Sequence, residues 1–171
     1  SCVAPHIYFF KYPRQTMKIK MTALDVKASI EEMQTLLIGK RLANVYDIGA
    51  KFFILKFGHG DDKRTVLIES GVRIHVTSLI REKPKMPSQF TFKLRKHIRS
   101  WRLDSVFQLA GDRTVVMRFG SEQTCFYFIV ELYGKGNIIL ADPSRLILNL
   151  LRTHRDGDVK LSVGSEYPML P

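Results

Sequence analysis

Apolar side chains recur at helical spacing in the first part of the chain. Thr22 and Asp25 stand three residues apart, which is the spacing of a capping box with Asp in place of the usual Glu or Gln. Gly39 suits the position just after a helix end. The pattern therefore predicts an amphipathic helix between these signals, and its apolar stripe consists of Leu24, Ala28, Met33, Leu36 and Leu37.

A second helical stripe lies near the middle of the chain. Its apolar members are Phe90, Leu94, Ile98 and Trp101. Ser88 is a suitable N-cap, because its hydroxyl can accept a hydrogen bond from an unpaired backbone N–H at the helix start. The positions between the apolar residues carry cations and no acid. We expect one basic helix that extends to Arg102 and displays Lys93, Arg95, Lys96, His97, Arg99 and Arg102.

Short apolar runs separated by Gly, Asp and Asn clusters predict strands and hairpin turns. Arg73 and His75 alternate with apolar residues and are expected on the polar face of a half-buried strand, towards a ligand or water. Sequential hairpins favour antiparallel sheets. We predict an α+β fold in which two mostly antiparallel sheets pack face to face with two amphipathic helices. The expected strands are 41–48, 52–57, 65–69, 72–77, 103–109, 114–119, 126–132, 137–141 and 146–151.

The 171 residues suit one domain. Residues 1–16 contain two prolines and show no periodicity, so we expect an irregular extension there. The folded domain is expected at 17–168, and 169–171 are expected to be a cut boundary rather than a native terminus.

Net charge adds a functional constraint. The chain carries 27 Lys and Arg against 16 Asp and Glu, a net charge of +11, and the basic helix supplies five of the cations. Clustered positive charge favours a polyanion, because binding phosphates releases condensed counterions. Nucleic acid, an anionic membrane surface and an acidic protein tail all fit this charge. A solvated surface helix is the structural alternative.

Cysteine usage and hydropathy restrict the compartment. Cys2 and Cys125 are far apart and unlike in context, so a disulfide is not expected and a reducing compartment is favoured. No apolar run reaches the ~20 residues that span a bilayer. We expect a cytoplasmic protein, with the nucleus as an alternative location, and no membrane partner.

Enzyme signatures are absent from the sequence. There is no glycine-rich phosphate loop, no nucleophile elbow and no metal-binding Cys or His pair. His59, Asp61 and Asp62 read as an exposed loop, and Cys125 reads as a small apolar strand residue. We therefore expect no catalytic residues, no metal and no cofactor.

Several blocks occur in an order and spacing that resemble a known family. They are Asn44–Asp47, Glu69–Thr77, Pro87–His97, Gly111–Arg113 and Leu132–Leu140. Together they resemble the N-terminal domain of the NFACT family, in its eukaryotic branch of nuclear export mediator factors, over about 17–168. The resemblance implies a fold similar to the N-terminal domain of formamidopyrimidine-DNA glycosylases. Those enzymes use an N-terminal Pro-Glu pair, which Met17-Lys18 does not match, so glycosylase activity is not expected.

The resemblance also implies a role in ribosome-associated quality control. Family members bind a large ribosomal subunit obstructed by peptidyl-tRNA, hold tRNA, support ubiquitin ligase recruitment and promote template-free addition of amino acids to the stalled chain. The implied partners are thus tRNA, the large subunit and, through the full-length protein, the ligase. The implied tRNA-binding positions are Asp25, Asp112 and Arg113. Asp25 retains helix capping as an alternative or additional role.

Three hypotheses follow for the chain. In the first, an RNA-binding module contacts phosphates through its basic helix, while Asp25 and Asp112 accept hydrogen bonds from base amino groups or 2′-hydroxyls, or orient Arg113. The second is a glycosylase-like nucleic-acid enzyme. The third is a protein-interaction scaffold whose basic helix pairs with an acidic partner.

Overall fold

A computed structural model describes residues 20–78, 84 and 86–169. Helix α1 spans Ala23–Leu37, and both bonds of the predicted capping box are present. The Thr22 backbone N–H donates to Asp25 Oδ2 at 2.9 Å, and the Asp25 N–H donates to Thr22 Oγ1 at 3.2 Å. Gly39 follows the helix with φ +87°, a conformation that glycine adopts without strain. The helix prediction is confirmed at both ends, but Leu24 of the predicted apolar stripe is 78% exposed. The buried face consists instead of Val26, Ser29, Ile30, Met33 and Leu37.

The strands form two antiparallel meanders, which confirms the predicted α+β fold. The first sheet has the order β1-β2-β3-β4, the second β5-β6-β7-β8-β9, and β10 pairs with β11. The strands are β1 Leu42–Asp47, β2 Phe52–Phe57, β3 Arg64–Glu69, β4 Arg73–Thr77, β5 Leu103–Gln108, β6 Thr114–Ser121, β7 Thr124–Glu131, β8 Asn137–Ala141, β9 Ile147–Leu150, β10 His154–Asp156 and β11 Val159–Leu161.

The sheets pack face to face around one core, and the helices close its two open edges. Rings of Phe57 and Phe119, one from each sheet, stack at 6.1 Å inside this core, near the crossover between helices and strands. Helix α1 lies against β4 and β5, while helix α2, Gln89–Ile98, lies against β1 and β9. Because β1 and β4 are opposite edges of one sheet and β5 and β9 of the other, the helices flank opposite sides of the sandwich.

The two ends of the sandwich are built differently. At one end, which we call the crossover end, residues 38–41 and 99–102 carry the chain from each helix to the strand that follows it, and they pair with each other through Arg41 and Arg102. At the other end, the turn end, hairpin turns of the two sheets meet. There the Ser70 hydroxyl donates to the Lys135 carbonyl at 2.9 Å.

The structure corrects the predicted extent of the basic helix. Helix α2 begins after its N-cap Ser88, as predicted, but it ends at Ile98. Ser100 has φ +75°, and its N–H donates to the Leu42 carbonyl at 2.8 Å, which turns the chain into the crossover. Trp101 and Arg102 therefore do not lie on the helix.

One further expectation is wrong, and one pair of strands was not predicted. His75 is only 1% exposed. Contact of its side chain with water, one of the two alternatives expected for this face of β4, is therefore wrong. No strand was predicted after residue 151, yet β10 and β11 form a hairpin there. Leu161 of that hairpin and the later Tyr167 are buried against the outer face of the second sheet. Residues 1–19, which include the predicted extension at 1–16, and residues 79–83 and 85 before α2 lie outside the described residues.

Candidate nucleic-acid interface

Helix α2 is held to the body of the domain by its apolar side and its start. Phe90 and Leu94 are buried in the core. The buried Asp47 carboxylate at the end of β1 accepts hydrogen bonds from the Ser88 N–H, at 2.6 Å, and from the Thr91 hydroxyl. The opposite side of α2, with Lys93 and Lys96, is thereby presented to solvent in a fixed orientation.

Arg95 and His97 lie beside the buried side of α2 and contact other residues of the domain. Arg95 Nε donates to the Val45 carbonyl at 2.8 Å, and its guanidinium lies 5.2 Å from the centre of the Tyr46 ring. His97 is half-buried, with its ring edge-on to Phe126 at 5.7 Å. These contacts give both residues a packing role, and a phosphate contact by either stays a prediction.

The other cations of the stretch continue onto the crossover. Arg99 caps α2 and Arg102 leads into β5, and both are exposed. We define the basic surface as Lys93, Lys96, Arg99 and Arg102. Within the described part of the chain, none of the four forms an ion pair, whereas other cations such as Arg118 do. Their charge is therefore available to an external anion.

Asp25 and the Asp112–Arg113 turn lie together at the turn end. Asp112 Oδ1 accepts the Arg113 N–H at 2.8 Å, and the Arg113 guanidinium lies 4.9 Å from the centre of the Tyr133 ring. Gln108 Nε2 donates to the Asp112 carbonyl at 2.6 Å and to the Ala23 carbonyl at 3.1 Å. One side chain thus ties this turn to the first turn of α1, which carries Asp25.

This turn-end cluster of Asp25, Asp112 and Arg113 is separate from the basic surface. It lies on the edge closed by α1, whereas the basic surface lies on α2 and at the crossover end. Strand β5 begins just after Arg102 and ends at Gln108, and its six residues span roughly 20 Å. The structure therefore brings the three implied tRNA positions together and does not join them to the basic helix.

Comparison with known proteins decides the family. A family model described as NFACT N-terminal and middle domains matches residues 22–171. The chain belongs to the NFACT family. Over 155 residues it is 43% identical to a mouse protein named ribosome quality control complex subunit NEMF, covering 90% of this chain and 15% of that protein. A Saccharomyces cerevisiae protein named ribosome quality control complex subunit 2 is 38% identical, covering 90% and 14%.

The NFACT domain described here spans about 15% of the length of these eukaryotic relatives. Solved structures support its fold. The N-terminal domain of the fibronectin-binding protein PavA from Streptococcus pneumoniae superposes with a TM-score of 0.77 at 23% identity, covering 89% of this chain and 65% of that one. The N-terminal part of a fibronectin/fibrinogen-binding protein from Streptococcus suis gives 0.79 at 22%, covering 89% and 62%.

Charge and hydrogen bonding prepare Asp112 of the NFACT domain to act as an acceptor. Its pKa lies below the ordinary value of 3.8, because the Tyr133 hydroxyl and the Arg113 N–H donate to the carboxylate. Burial and the bond to Asp112 raise the pKa of Tyr133. Asp112 is thus ionised and Tyr133 protonated at neutral pH. The stabilisation from the charged form is lost as pH falls through the folded-state pKa.

Tyr133→Phe is expected to raise the pKa of Asp112 towards 3.8, because the largest cause of its depression is removed. A carboxyl-carbon NMR titration of the folded domain measures the change directly. Tyr127→Phe serves as the matched control, since the Tyr127 hydroxyl interacts with Cys125 and Arg118 rather than with Asp112. An Asp112 titration that is the same in both variants and the wild type would show that the tyrosine does not set this pKa.

Several residues of these sites were not found from the sequence. Gln108 and Tyr133 position the Asp112 turn, and Arg41 stands beside Arg102 at the crossover end. Phe92 is 63% exposed on α2 beside Lys93 and Lys96. Among these residues, only Phe92 could have been found from the local sequence, because it is an apolar residue on the polar side of the predicted helix. The other three depend on which turns meet in space.

The described residues lack both a metal-binding cluster and a membrane-spanning helix. Within residues 20–78 and 86–169, no group of three or more His, Cys, Asp and Glu side chains is arranged to hold a metal ion. Neither helix in the described region has the length and apolar character needed to cross a membrane.

Proposed function

We propose that this NFACT domain is the RNA-binding module of a ribosome-associated quality-control factor. The observation that carries the proposal is the basic surface, where four exposed cations lack an ionic partner among the described residues. The names of its relatives, which describe ribosome quality control complex subunits in mouse and yeast, support the same process. The NFACT domain itself supplies binding and no catalytic residue.

Phosphates of RNA are the anions that the basic surface suits. Lys93 and Lys96 offer ammonium groups on a helix face, and Arg99 offers a guanidinium that can hold a phosphate through two hydrogen bonds. Such contacts fix position on an RNA without reading its sequence. The surface therefore contributes affinity, and it does so for any RNA that fits its shape.

Selectivity for tRNA is assigned to the turn-end cluster. Asp112 is an ionised acceptor held by two donors, and the Arg113 guanidinium lies over the Tyr133 ring, where it can stack on or donate to an unpaired nucleotide. Asp25 Oδ2 is engaged in the capping box, which leaves the other oxygen for base amino groups or a 2′-hydroxyl. Carboxylates cannot favourably face phosphates, so this cluster suits exposed bases and sugars.

The wider process belongs to the full-length protein. The full-length factor binds a large ribosomal subunit obstructed by peptidyl-tRNA, works with a ubiquitin ligase and supports template-free tailing of the stalled chain in the cytoplasm. This chain spans about 15% of its relatives' length, and other segments of such proteins add their own contacts. Linking several binding modules in one chain raises the overall affinity even when this domain makes no additional contact.

Asp25 is tested by separating its charge from its capping role. Asp25→Asn keeps a side-chain oxygen for the cap and removes the negative charge, whereas Thr22→Ala removes the other half of the box and keeps the carboxylate. We expect Asp25→Asn to weaken tRNA binding about 5-fold, since hydrogen bonds to charged groups contribute roughly 1.5–3 kcal/mol and Asn retains part of the bond. Thr22→Ala is expected to cost about 1 kcal/mol of stability and leave tRNA affinity unchanged. Equal losses of affinity in the two variants would reduce Asp25 to a helix cap.

The same assay tests the rest of the cluster and the enzyme alternative. Asp112→Ala/Arg113→Ala is expected to keep the fold and weaken tRNA binding about 10-fold, measured by fluorescence anisotropy. Wild-type affinity in this double variant would remove the turn from the site. Incubation with duplex DNA that carries damaged bases provides the second arm, in which release of free base would contradict a pure binding function.

A further inference from the structure

Arg41 and Arg102 occupy directly opposite positions of an antiparallel pair. The bonds around them run from the Leu42 N–H to the Trp101 carbonyl and from the Leu103 N–H to the Lys40 carbonyl, both at 2.9 Å. This pattern makes Arg41 and Arg102 a non-hydrogen-bonded pair, in which Cα atoms are about 4.5 Å apart and side chains approach most closely. The two arginine side chains therefore leave the backbone from adjacent positions on the same face of the crossover.

Like charges directly opposite each other are destabilising in a sheet. Both arginines are exposed, and neither has a carboxylate partner in the described part of the chain. Two carboxylates of neighbouring segments are already engaged, because Asp62 pairs with Lys40 and Asp104 pairs with Arg118. Arg41 Nη1 also donates to the Ser100 carbonyl at 2.9 Å, which holds its side chain over the partner segment.

The backbone beneath the pair is fixed to both sheets. The Arg41 carbonyl accepts from the Gly58 N–H after β2, and the Arg102 carbonyl accepts from the Gly120 N–H of β6, each at 2.9 Å. The backbone of this pair is thus held rigidly, and its two positive charges repel each other unless an anion lies between them.

We propose that Arg41 and Arg102 together bind a backbone phosphate of RNA, at a site independent of the turn-end cluster. The inference rests on the RNA-binding role proposed above and adds Arg41 to the residues that perform it. A phosphate placed between two guanidinium groups accepts hydrogen bonds from both and cancels their repulsion. The length of β5, roughly 20 Å, separates this site from Gln108 and the turn-end cluster. The two sites therefore contact different nucleotides.

The test uses two RNAs and matched variants of the whole chain. A blunt RNA duplex of about 16 base pairs offers phosphates but no unpaired bases, whereas tRNA offers both. Arg41→Gln/Arg102→Gln is compared with Arg155→Gln/Lys160→Gln, which removes the same charge from another exposed cross-strand pair, on the β10–β11 hairpin. The comparison therefore tests this site and not like-charge pairing in general. Thermal melting of the free domain checks that each variant is folded.

We expect the Arg41/Arg102 double variant to bind the duplex about 10-fold more weakly than wild type and control, with a salt slope smaller by about 1. Each single variant is expected to cost nearly as much as the double, because one phosphate needs both arginines. Asp112→Ala/Arg113→Ala is expected to leave duplex affinity unchanged.

The outcomes separate the two proposals. Duplex affinity equal to that of the hairpin control in the double variant would overturn the phosphate site and leave RNA binding by the rest of the basic surface intact. A loss of duplex affinity in the Asp112/Arg113 variant would overturn the independence of the two sites. Wild-type protein that binds neither RNA would overturn the RNA-binding function itself.

Discussion

Replacing Lys93, Lys96, Arg99 and Arg102 together with glutamine is expected to weaken tRNA binding roughly 30- to 100-fold at low salt. Each exposed charge contact contributes about 0.2–1 kcal/mol, and phosphate binding adds the release of counterions. The four side chains are exposed and unpaired among the described residues, so their removal leaves no buried group without a partner. The fold is therefore expected to keep its stability, which circular dichroism and thermal melting can verify.

A two-charge comparison distinguishes a local surface from overall charge. Lys93→Gln/Lys96→Gln and Arg155→Gln/Lys160→Gln remove the same number of charges from exposed positions. We expect the first pair to weaken binding about 5-fold and the second to have little effect. Equal losses from both pairs would mean that tRNA responds to the net charge of the chain and that the helix face has no special role.

Gly71→Ala is expected to destabilise the domain by about 3 kcal/mol. Gly71 has φ +77°, which costs an L-residue roughly 1–2 kcal/mol, and an added Cβ would lie 2.7 Å from the Gly134 carbonyl oxygen. Overpacking of that kind adds roughly 1–3 kcal/mol. The atoms in the way are backbone of the facing turn, so relief requires the two sheets to separate at the turn end. Urea unfolding measures the loss.

Gly39→Ala is the matched control for this substitution. Gly39 has a similar φ of +87°, but nothing lies within 4 Å of the position its Cβ would take. It is expected to cost only about 1 kcal/mol, the backbone contribution alone. Equal costs at both positions would contradict the close approach of the turns. Because Arg113 stacks on Tyr133, which precedes Gly134, Gly71→Ala is also expected to weaken tRNA binding.

Local chemistry made much of the fold predictable. Thr22 and Asp25 mark the start of α1 with reciprocal hydrogen bonds, and Gly39 and Gly111 adopt positive φ angles that glycine tolerates. Alternation and turn spacing then order the strands into two meanders. These signals require no knowledge of distant contacts.

The features that were mispredicted or missed depend on distant contacts. Helix α2 stops at Ile98 because Ser100 bonds to Leu42, which is 58 residues away in the chain. His75 reads as polar surface, yet the structure buries it. The β10–β11 hairpin is polar in sequence and is positioned through Leu161 on the second sheet. No local pattern encodes such pairings.

The candidate site divides in the same way. The cations of α2 were visible as a charge cluster, and Asp25, Asp112 and Arg113 were implied by the family resemblance. Their arrangement was not visible, because Gln108 joins the turn to α1 only after folding. Arg41 was overlooked since its partner, Arg102, lies 61 residues further along the chain.

The salt dependence of tRNA affinity tests the central claim most directly. If the basic surface neutralises about three phosphates, log K plotted against log salt concentration is expected to fall with a slope of about −2 to −3. The variant that lacks Lys93, Lys96, Arg99 and Arg102 is expected to lose most of that slope. A flat plot for the wild-type domain, or the same slope in both proteins, would contradict RNA-phosphate binding by this surface.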